Sequence, residues 1–386
     1  MQCVASGFFS RQKAAKIRYL QGLRAANACR TWRIPYDYVM PRIWGALLLG
    51  TVLAIVPLRA SGEAPPGSLA AFFASQGFDR IHLQRRFGNQ LYFTPLINGR
   101  PGKLVIDNSA ATTLIHRESA VTYGLSLIPT NRHVSNMWGG MTETYSTSRL
   151  RSLQIGSRTL TDIPIAVADA ATWLNPPEYM IVPKLIPRSK KRDLRSYVHV
   201  EDVNGLLGAD LLQKVGAVVD CGHQMLYTSP SGPSVSVSEK LAAIMAYRGF
   251  TRIPMRLTRD HQFEVEVAIN GHPTRLLVST GAPFTFLGRE ASGTAHVFSK
   301  PLRLLYELPN RSLASLNGAA IKDLKIGDFI VHYSDVTVAD VSNDTLRPNS
   351  SEEANSGLLG MEVLSLNFAM LDFGNMTLYM RRPDRK

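Results

Sequence analysis

The large apolar residues Val265, Val267 and Ile269 alternate with Glu264, Glu266 and Ala268, which is the period of a half-buried β-strand. Asn270-Gly271 follows, and both residues tolerate the positive φ angles of a tight hairpin turn. The apolar residues Leu276 to Val278 are therefore predicted to form the partner strand. This strand ends at Ser279-Thr280-Gly281, where the glycine permits a tight turn that exposes the residues before it.

The same pattern occurs twice in the chain. Residues 69–106 align with residues 241–278 at a constant offset of 172 and without a gap, and Ile-Asn-Gly falls at the same place in both copies. The alignment continues beyond the strand, so that Asp107-Asn108-Ser109-Ala110 lies opposite Ser279-Thr280-Gly281-Ala282. The chain therefore contains two copies of one structural unit.

A second pair of segments aligns further along each copy. Residues 205–227 match residues 357–379 at an offset of 152, and both segments begin with Gly-Leu-Leu-Gly. The second copy is thus 20 residues shorter between the two aligned regions. The first copy carries the basic segment 183–200 in this interval, which is typical of an inserted, solvated surface loop rather than of a nucleic-acid site.

These motifs resemble those of the retropepsin-like and pepsin-like aspartic peptidases, of the bacterial type with two fused retropepsin-like lobes. The resemblance covers residues 85–382 and is carried by "LVIDNSAATTLI", "VNGLLGADLL", "LLVSTGAPFTFL" and "SGLLGMEVL". It implies an all-β fold, in which two tandem lobes are related by a pseudo-twofold axis and enclose a cleft. The expected first lobe is 85–230 and the second is 249–386, with a leading segment at 63–84 and a linker or helix at 231–248.

In this family each lobe contributes one aspartate to a catalytic pair. Two carboxyl groups about 3 Å apart cannot both ionise, so they share one proton. The ionised partner takes a proton from a bound water, while the protonated partner hydrogen-bonds to the scissile carbonyl. The resemblance assigns these two dyad positions to Asp107 and Ser279. We call residues 107–110 and 279–282 the first and second dyad loops.

The chain departs from the family motif Asp-Thr-Gly-Ala in both dyad loops. The first loop keeps the acid Asp107 but has Asn108-Ser109 before Ala110. The second loop keeps Thr280-Gly281-Ala282 but has Ser279 in place of the acid. A serine hydroxyl can hold a water or donate a hydrogen bond, but it does not exchange protons near neutral pH. We therefore expect Asp107 to titrate like an ordinary carboxyl, and we expect the Cβ of Ser109 to alter the first loop.

Three functions follow from these departures. The first is an exported homologue of aspartic proteases that binds extended peptide in the interlobe cleft and cleaves it weakly or not at all. The second is an active aspartic endopeptidase that uses Asp107 with a substitute acid or with a second chain. The third is a structural envelope protein without a ligand. The expected partner is a peptide or protein substrate, without nucleic acid, metal or cofactor, and the expected state is a monomer with an internal pseudo-dimer.

Other polar residues of the sequence do not form a recognisable catalytic or metal-binding motif. A nucleophilic role for Ser279 would require a histidine and an orienting acid, and no such motif is present in the sequence. The resemblance makes Asp220 and Asp372 turn residues, and Cys221 with His223 lacks a second pair at zinc spacing.

The glycines that follow Met137-Trp138 suggest a flap. Trp138, Gly139 and Gly140 lie about 30 residues after Asp107, where the family has the hairpin that covers the peptide. An ordinary hairpin with Trp138 packed inward is the alternative interpretation of the same residues.

Composition separates the N-terminal region from the rest. The net charge is +13, but residues 1–60 hold nine of the 43 basic residues and one of the 30 acidic residues, which leaves +5 for the remainder.

Residues 1–62 are predicted to be an extension and a secretory signal peptide, with Met40 as the true start and Ile43 to Leu58 as its apolar part. An uncleaved membrane anchor is the alternative. The predicted location is therefore periplasmic or secreted, and Cys221 would be the mature chain's single cysteine.

Overall fold

The two sequence copies form two β-lobes that share a central sheet. A computed structural model of the chain describes residues 67–86, 89–134, 143–170, 202–307, 313–339 and 357–382. The predicted signal peptide, the basic segment 183–200 and the flap residues lie outside these ranges. Among the described residues, none of the helices is long and apolar enough to span a membrane.

Among the described residues, thirteen strands and three helices belong to the first copy. The strands are β1 (Asp79–His82), β2 (Gln84–Arg85), β3 (Leu91–Phe93), β4 (Leu96–Ile97), β5 (Arg100–Pro101), β6 (Leu104–Ile106), β7 (Leu114–His116), β8 (Ile128–Val134), β9 (Glu143–Ile155), β10 (Arg158–Ala168), β11 (Gly205–Leu207), β12 (Val218–Asp220) and β13 (Met225–Thr228). The helices of the described residues are α1 (Leu69–Ser75), α2 (Arg117–Thr122) and α3 (Ala209–Lys214).

The second copy repeats this order with fewer strands in the described residues. Its strands are β14 (Thr251–Pro254), β15 (Arg256–Leu257), β16 (Phe263–Ile269), β17 (His272–Val278), β18 (Phe286–Gly288), β19 (Lys300–Glu307), β20 (Leu313–Ile326), β21 (Phe329–Ala339), β22 (Gly357–Leu359), β23 (Met370–Asp372) and β24 (Thr377–Met380). Its helices are α4 (Val235–Tyr247), α5 (Arg289–Thr294) and α6 (Met361–Leu366).

The predicted hairpin is present. Strands β16 and β17 pair in antiparallel register from Glu264 opposite Leu277 to Ile269 opposite His272. Asn270 and Gly271 connect them with φ angles of 50° and 87°. The pattern and the turn residues therefore predicted this element correctly, because its signal is local.

In each lobe, the strand that leads into a dyad loop pairs with the Gly-Leu-Leu strand. β6 runs parallel to β11, which also pairs antiparallel with β7, and β17, β22 and β18 repeat this arrangement. The glycine after the Gly-Leu-Leu strand is needed for close packing, because a Cβ on Gly360 would lie 2.1 Å from the carbonyl oxygen of Phe284. The Gly-Leu-Leu-Gly segments thus form the support on which the dyad loops rest.

A six-stranded sheet joins the lobes in the order β1-β13-β12-β23-β24-β14. At its centre β12 pairs antiparallel with β23, with Val219 opposite Leu371. Helices α1 and α4 pack on this sheet, and their side chains share a buried apolar cluster with the sheet strands. The buried members of this cluster are Phe73, Val218, Met225, Tyr227, Leu241, Met245, Met370 and Tyr379. Removal of this apolar surface from water therefore stabilises the contact between the lobes.

Candidate active site

Asp107 and Ser279 lie at equivalent positions in the two lobes. Asp107 follows β6 and its N–H donates to the carbonyl of Leu207 at 3.1 Å. Ser279 follows β17 and its N–H donates to the carbonyl of Leu359 at 3.0 Å. Each dyad position is thus fixed by a main-chain bond to the Gly-Leu-Leu strand of its own lobe.

A chain of hydroxyl groups connects these two side chains across the pseudo-twofold axis. The hydroxyl of Ser109 donates to Oδ1 of Asp107 at 2.5 Å, and the hydroxyl of Ser279 donates to that of Ser109 at 3.1 Å. The N–H of Ala282 donates to Oγ of Ser279 at 3.0 Å. The structure therefore brings together Asp107, Ser109 and Ser279, which include two of the departures from the family motif.

Asn108 and Thr280 lock the two loops together. The carboxamide of Asn108 donates to the carbonyl of Val278 at 2.8 Å and accepts from the N–H of Thr280 at 2.7 Å. In return, the hydroxyl of Thr280 accepts from the N–H of Asn108 at 3.1 Å and donates to the carbonyl of Ile106 at 2.8 Å. Each side chain thus makes the same two bonds to the other lobe. The carboxamide of Asn108 therefore replaces a threonine hydroxyl in this reciprocal pair.

Gly281 is required by a close approach. Its φ lies outside the left-handed region, but a Cβ there would come within 2.3 Å of the carboxyl carbon of Asp107. The sequence predicts a tight turn at this glycine, whereas in the structure the facing carboxyl of Asp107 excludes a side chain at this position. Residue 109 is the equivalent position in the other loop and faces Ser279, whose shorter side chain leaves room for the Cβ and hydroxyl of Ser109.

Burial raises the pKa of Asp107 above its ordinary value. The hydroxyl of Ser109 opposes this shift, as do the N–H groups of Ser109, Ala110 and Gly281, because hydrogen bonds stabilise the carboxylate. The expectation of an ordinary carboxyl is therefore wrong, since it considered only the missing second acid and not the removal of water from the site.

Two residues near the site were missed by the sequence argument. Nε2 of Gln90 donates to the carbonyl of Gly281 at 2.7 Å, and Nε2 of Gln262 donates to the carbonyl of Ser109 at 2.9 Å. Their signal was present in the repeat, because these glutamines are also separated by 172 residues. Only the fold shows that each one reaches the dyad loop of the opposite lobe.

The remaining candidates lie away from the dyad loops. The carboxylate of Asp220 accepts from the N–H of His223 at 2.9 Å, and that of Asp372 accepts from the N–H of Asn375 at 3.1 Å, as expected of turn residues. Cys221 is a buried free thiol. Within the described ranges, no group of three or more potential metal-ligating side chains was found.

This chain has two β-lobes whose dyad loops meet at a pseudo-twofold axis. That arrangement is the acid-protease fold. The sequence matches the family model described as aspartyl protease over residues 94–211 and again over residues 265–363. These two ranges cover more than half of the chain, and the chain therefore belongs to the aspartyl protease family.

Three solved structures illustrate the range of similar proteins. A retropepsin-like aspartic protease from Rickettsia conorii is 17% identical, with 39% of this chain and 90% of that chain covered and a TM-score of 0.26. The aspartic proteinase from Irpex lacteus is 12% identical, with 80% and 98% covered and a TM-score of 0.43. Basic 7S globulin from soybean is 10% identical, with 79% and 94% covered and a TM-score of 0.37. The comparison with curated proteins gave no significant sequence match.

Proposed function

We propose that this protein is an exported aspartic-protease homologue that binds extended peptide between its lobes and cleaves it weakly or not at all. One observation carries the proposal: Asp107 faces a serine in place of the second acid, and the hydroxyl of Ser109 connects the two. Peptide and protein ligands are proposed because the family acts on them.

Proton transfer is the reason that we propose weak activity. Peptide hydrolysis by this family needs one group to take a proton from water and a second to supply a proton to the substrate. Asp107 can do one of these, but the hydroxyl of Ser279 does not exchange protons near neutral pH. Loss of one member of such a pair costs about 10²–10⁴-fold in rate. Oδ1 of Asp107 also accepts a hydrogen bond from the hydroxyl of Ser109, which leaves this oxygen with less capacity to accept from a reacting water.

The proposed organisation has a first lobe at residues 85–230, a linker at 231–248 and a second lobe at 249–386. One chain would supply both sides of the cleft, so we propose a monomer. Export rests on the apolar segment from Ile43 to Leu58 and on the small residues that follow it.

Peptide binding and cleavage should be measured on the same preparation. We expect a peptide-like statine inhibitor to bind wild-type protein, while casein remains undigested at acidic and neutral pH. Asp107→Ala is the control for both measurements, because it removes the single dyad acid.

Each other result selects a different function. Digestion by wild type that Asp107→Ala abolishes would establish an active endopeptidase and overturn the proposal. Absence of inhibitor and peptide binding, with a correctly folded protein, would instead favour a structural role.

A further inference from the structure

Gln90 and Gln262 cross the pseudo-twofold axis in opposite directions. Gln90 belongs to the first copy and holds the carbonyl of Gly281 in the second dyad loop. Gln262 belongs to the second copy and holds the carbonyl of Ser109 in the first dyad loop. Both donors and both acceptors are separated by 172 residues, so the two hydrogen bonds are symmetry equivalents.

Both glutamines occupy the same place in the backbone of their lobes. Each follows a residue in the left-handed region, namely Asn89 with φ 62° and His261 with φ 58°, and each precedes an inner strand of its lobe. The aligned residues of these two turns differ in identity except for the glutamine. The carboxamide is therefore the common feature of two otherwise divergent turns.

Each glutamine fixes a peptide group whose other end faces a dyad position. The carbonyl of Gly281 and the N–H of Ala282 belong to one planar peptide group, and that N–H donates to Oγ of Ser279 at 3.0 Å. Holding the carbonyl therefore sets the direction of the N–H. Gln90 thus acts on Ser279 without touching it.

In the first dyad loop the equivalent peptide group is held, but its N–H bonds to the main chain of the dyad residue. Gln262 holds the carbonyl of Ser109, and the N–H of the same peptide group belongs to Ala110. This N–H donates to the main-chain carbonyl of Asp107 at 3.3 Å and also stabilises its carboxylate.

We infer that Gln90 and Gln262 are positioning residues, each orienting the peptide group that hydrogen-bonds to the dyad position of the opposite lobe. A purely structural tie between the lobes does not require a carboxamide. Oε1 of Gln262 is also buried and has no hydrogen-bond partner among the described residues, which is an energetic cost that an apolar side chain would avoid.

The inference can be tested through the titration of Asp107. The groups that act on this carboxyl are the hydroxyl of Ser109 and the N–H groups of Ser109, Ala110 and Gly281. The inference rests on the proposed function only in treating Asp107 as a site residue. The test needs no peptide, so the inference and the proposed function can fail separately.

The experiment is NMR titration of the full chain labelled at aspartate carboxyl carbons, with Asp107→Asn to assign the signal. The variants are Gln262→Met, its symmetry mate Gln90→Met, and Gln154→Met as a remote control, because the half-buried side chain of Gln154 donates to the carbonyl of Gly156 in its own hairpin. Gln262→Met should raise the pKa of Asp107 further, because the N–H of Ala110 is no longer oriented. Gln90→Met should shift it less, and Gln154→Met should not shift it.

Amide signals provide a second readout. Gln262→Met should displace the amide signal of Ala110, while Gln90→Met should displace that of Ala282. Equal pKa shifts in both variants, or no shift in Gln262→Met, would overturn the inference and leave a purely structural contact. If Gln262→Met does not fold, Gln262→Asn is used in its place, because the shorter side chain withdraws the donor while keeping a carboxamide. Equal pKa shifts in Gln262→Asn and Gln90→Met, or no shift in Gln262→Asn, would then overturn the inference.

Discussion

Gly281 faces the carboxyl of Asp107 so closely that a Cβ on residue 281 would lie 2.3 Å from the carboxyl carbon. Real Cβ atoms do not approach other heavy atoms within 3.0 Å. A glycine at position 281 thus leaves room for the carboxyl of the aspartate at the opposite dyad position. Relative to the family motif, an acid is missing at Ser279 and a side chain is added at Ser109. These two residues contact each other, so the shorter side chain at position 279 leaves room for the side chain at position 109.

The first prediction concerns this close approach. Gly281→Ala should lower the free energy of unfolding by about 1–3 kcal/mol, as expected for overpacking a filled site. In an Asp107→Ala background the same change should cost much less, because the three closest atoms belong to the removed carboxyl. Denaturant unfolding of the four proteins in this double-mutant cycle gives the coupling.

Gly293→Ala is the matched control. Gly293 lies in α5 with no heavy atom within 4 Å of the added Cβ, so the change should be neutral or stabilising. Equal costs of Gly281→Ala with and without the Asp107 carboxyl would contradict the proposed clash.

The second prediction concerns restoration of the acid pair. Ser279→Asp alone should destabilise the protein, because the new carboxyl meets the side chain of Ser109. Ser109→Gly combined with Ser279→Asp should fold and digest casein with an acidic optimum, since two adjacent carboxyls share one proton. Asn108→Thr should not be needed, because Asn108 already makes both bonds to the opposite loop.

The pH profile of casein digestion by the double variant checks this prediction, with Asp107→Ala added to it as a control. A folded double variant that stays inert and binds a statine inhibitor no better than wild type would show that the cleft is not a peptidase cleft. The family would then describe only the fold.

The third prediction concerns the reciprocal lock. Asn108→Ala should destabilise the protein by about 1–3 kcal/mol for each buried group left without a partner, and the carbonyl of Val278 and the N–H of Thr280 both lose one. Asn108→Thr should cost less, because a hydroxyl can make both bonds, as Thr280 does in the other loop. Thermal unfolding of the two variants measures their stabilities. Equal losses of stability in Asn108→Ala and Asn108→Thr would show that a threonine cannot replace Asn108 here.

The fourth prediction concerns pH and the second lobe. Burial raises the pKa of Glu362 from 4.5 to about 7, against the opposing effect of its bond from Thr285. The folded protein thus binds this proton more tightly than the unfolded chain does. The contribution of this proton to the free energy of unfolding is complete below pH 4.5 and is lost as the pH rises to about 7. The free energy of unfolding changes by about 3 kcal/mol over this range.

Glu362→Gln should remove this part of the pH dependence and stabilise the protein at neutral pH. Glu290→Gln is the matched control, because Glu290 is also in the first turn of a six-residue helix but is exposed. Unfolding free energies measured at several pH values check the prediction. If the free energy of unfolding declines equally with pH in wild type and in Glu362→Gln, the decline comes from other carboxyl groups.

The sequence predicted those parts of the molecule that depend on local pattern and on the repeat. The β16–β17 hairpin follows from alternation and from Asn270-Gly271, and the offset of 172 predicted that Asp107 and Ser279 are equivalent. The repeat could not show that Asn108 and Thr280 make the same bonds, because this equivalence depends on reach and direction in three dimensions. The raised pKa of Asp107 was missed because it depends on burial by distant segments.

The pairing of β12 with β23 has a consequence for how such a site can change. In a protein assembled from two identical chains across the same axis, each substitution would appear on both sides at once. Replacing the acid by serine would then remove both carboxyls, and a side chain at the glycine position would crowd both halves. Because one chain supplies both lobes here, Ser279 and Ser109 could arise opposite each other while Asp107 and Gly281 remained. Covalent fusion thus allows each half of the site to vary independently.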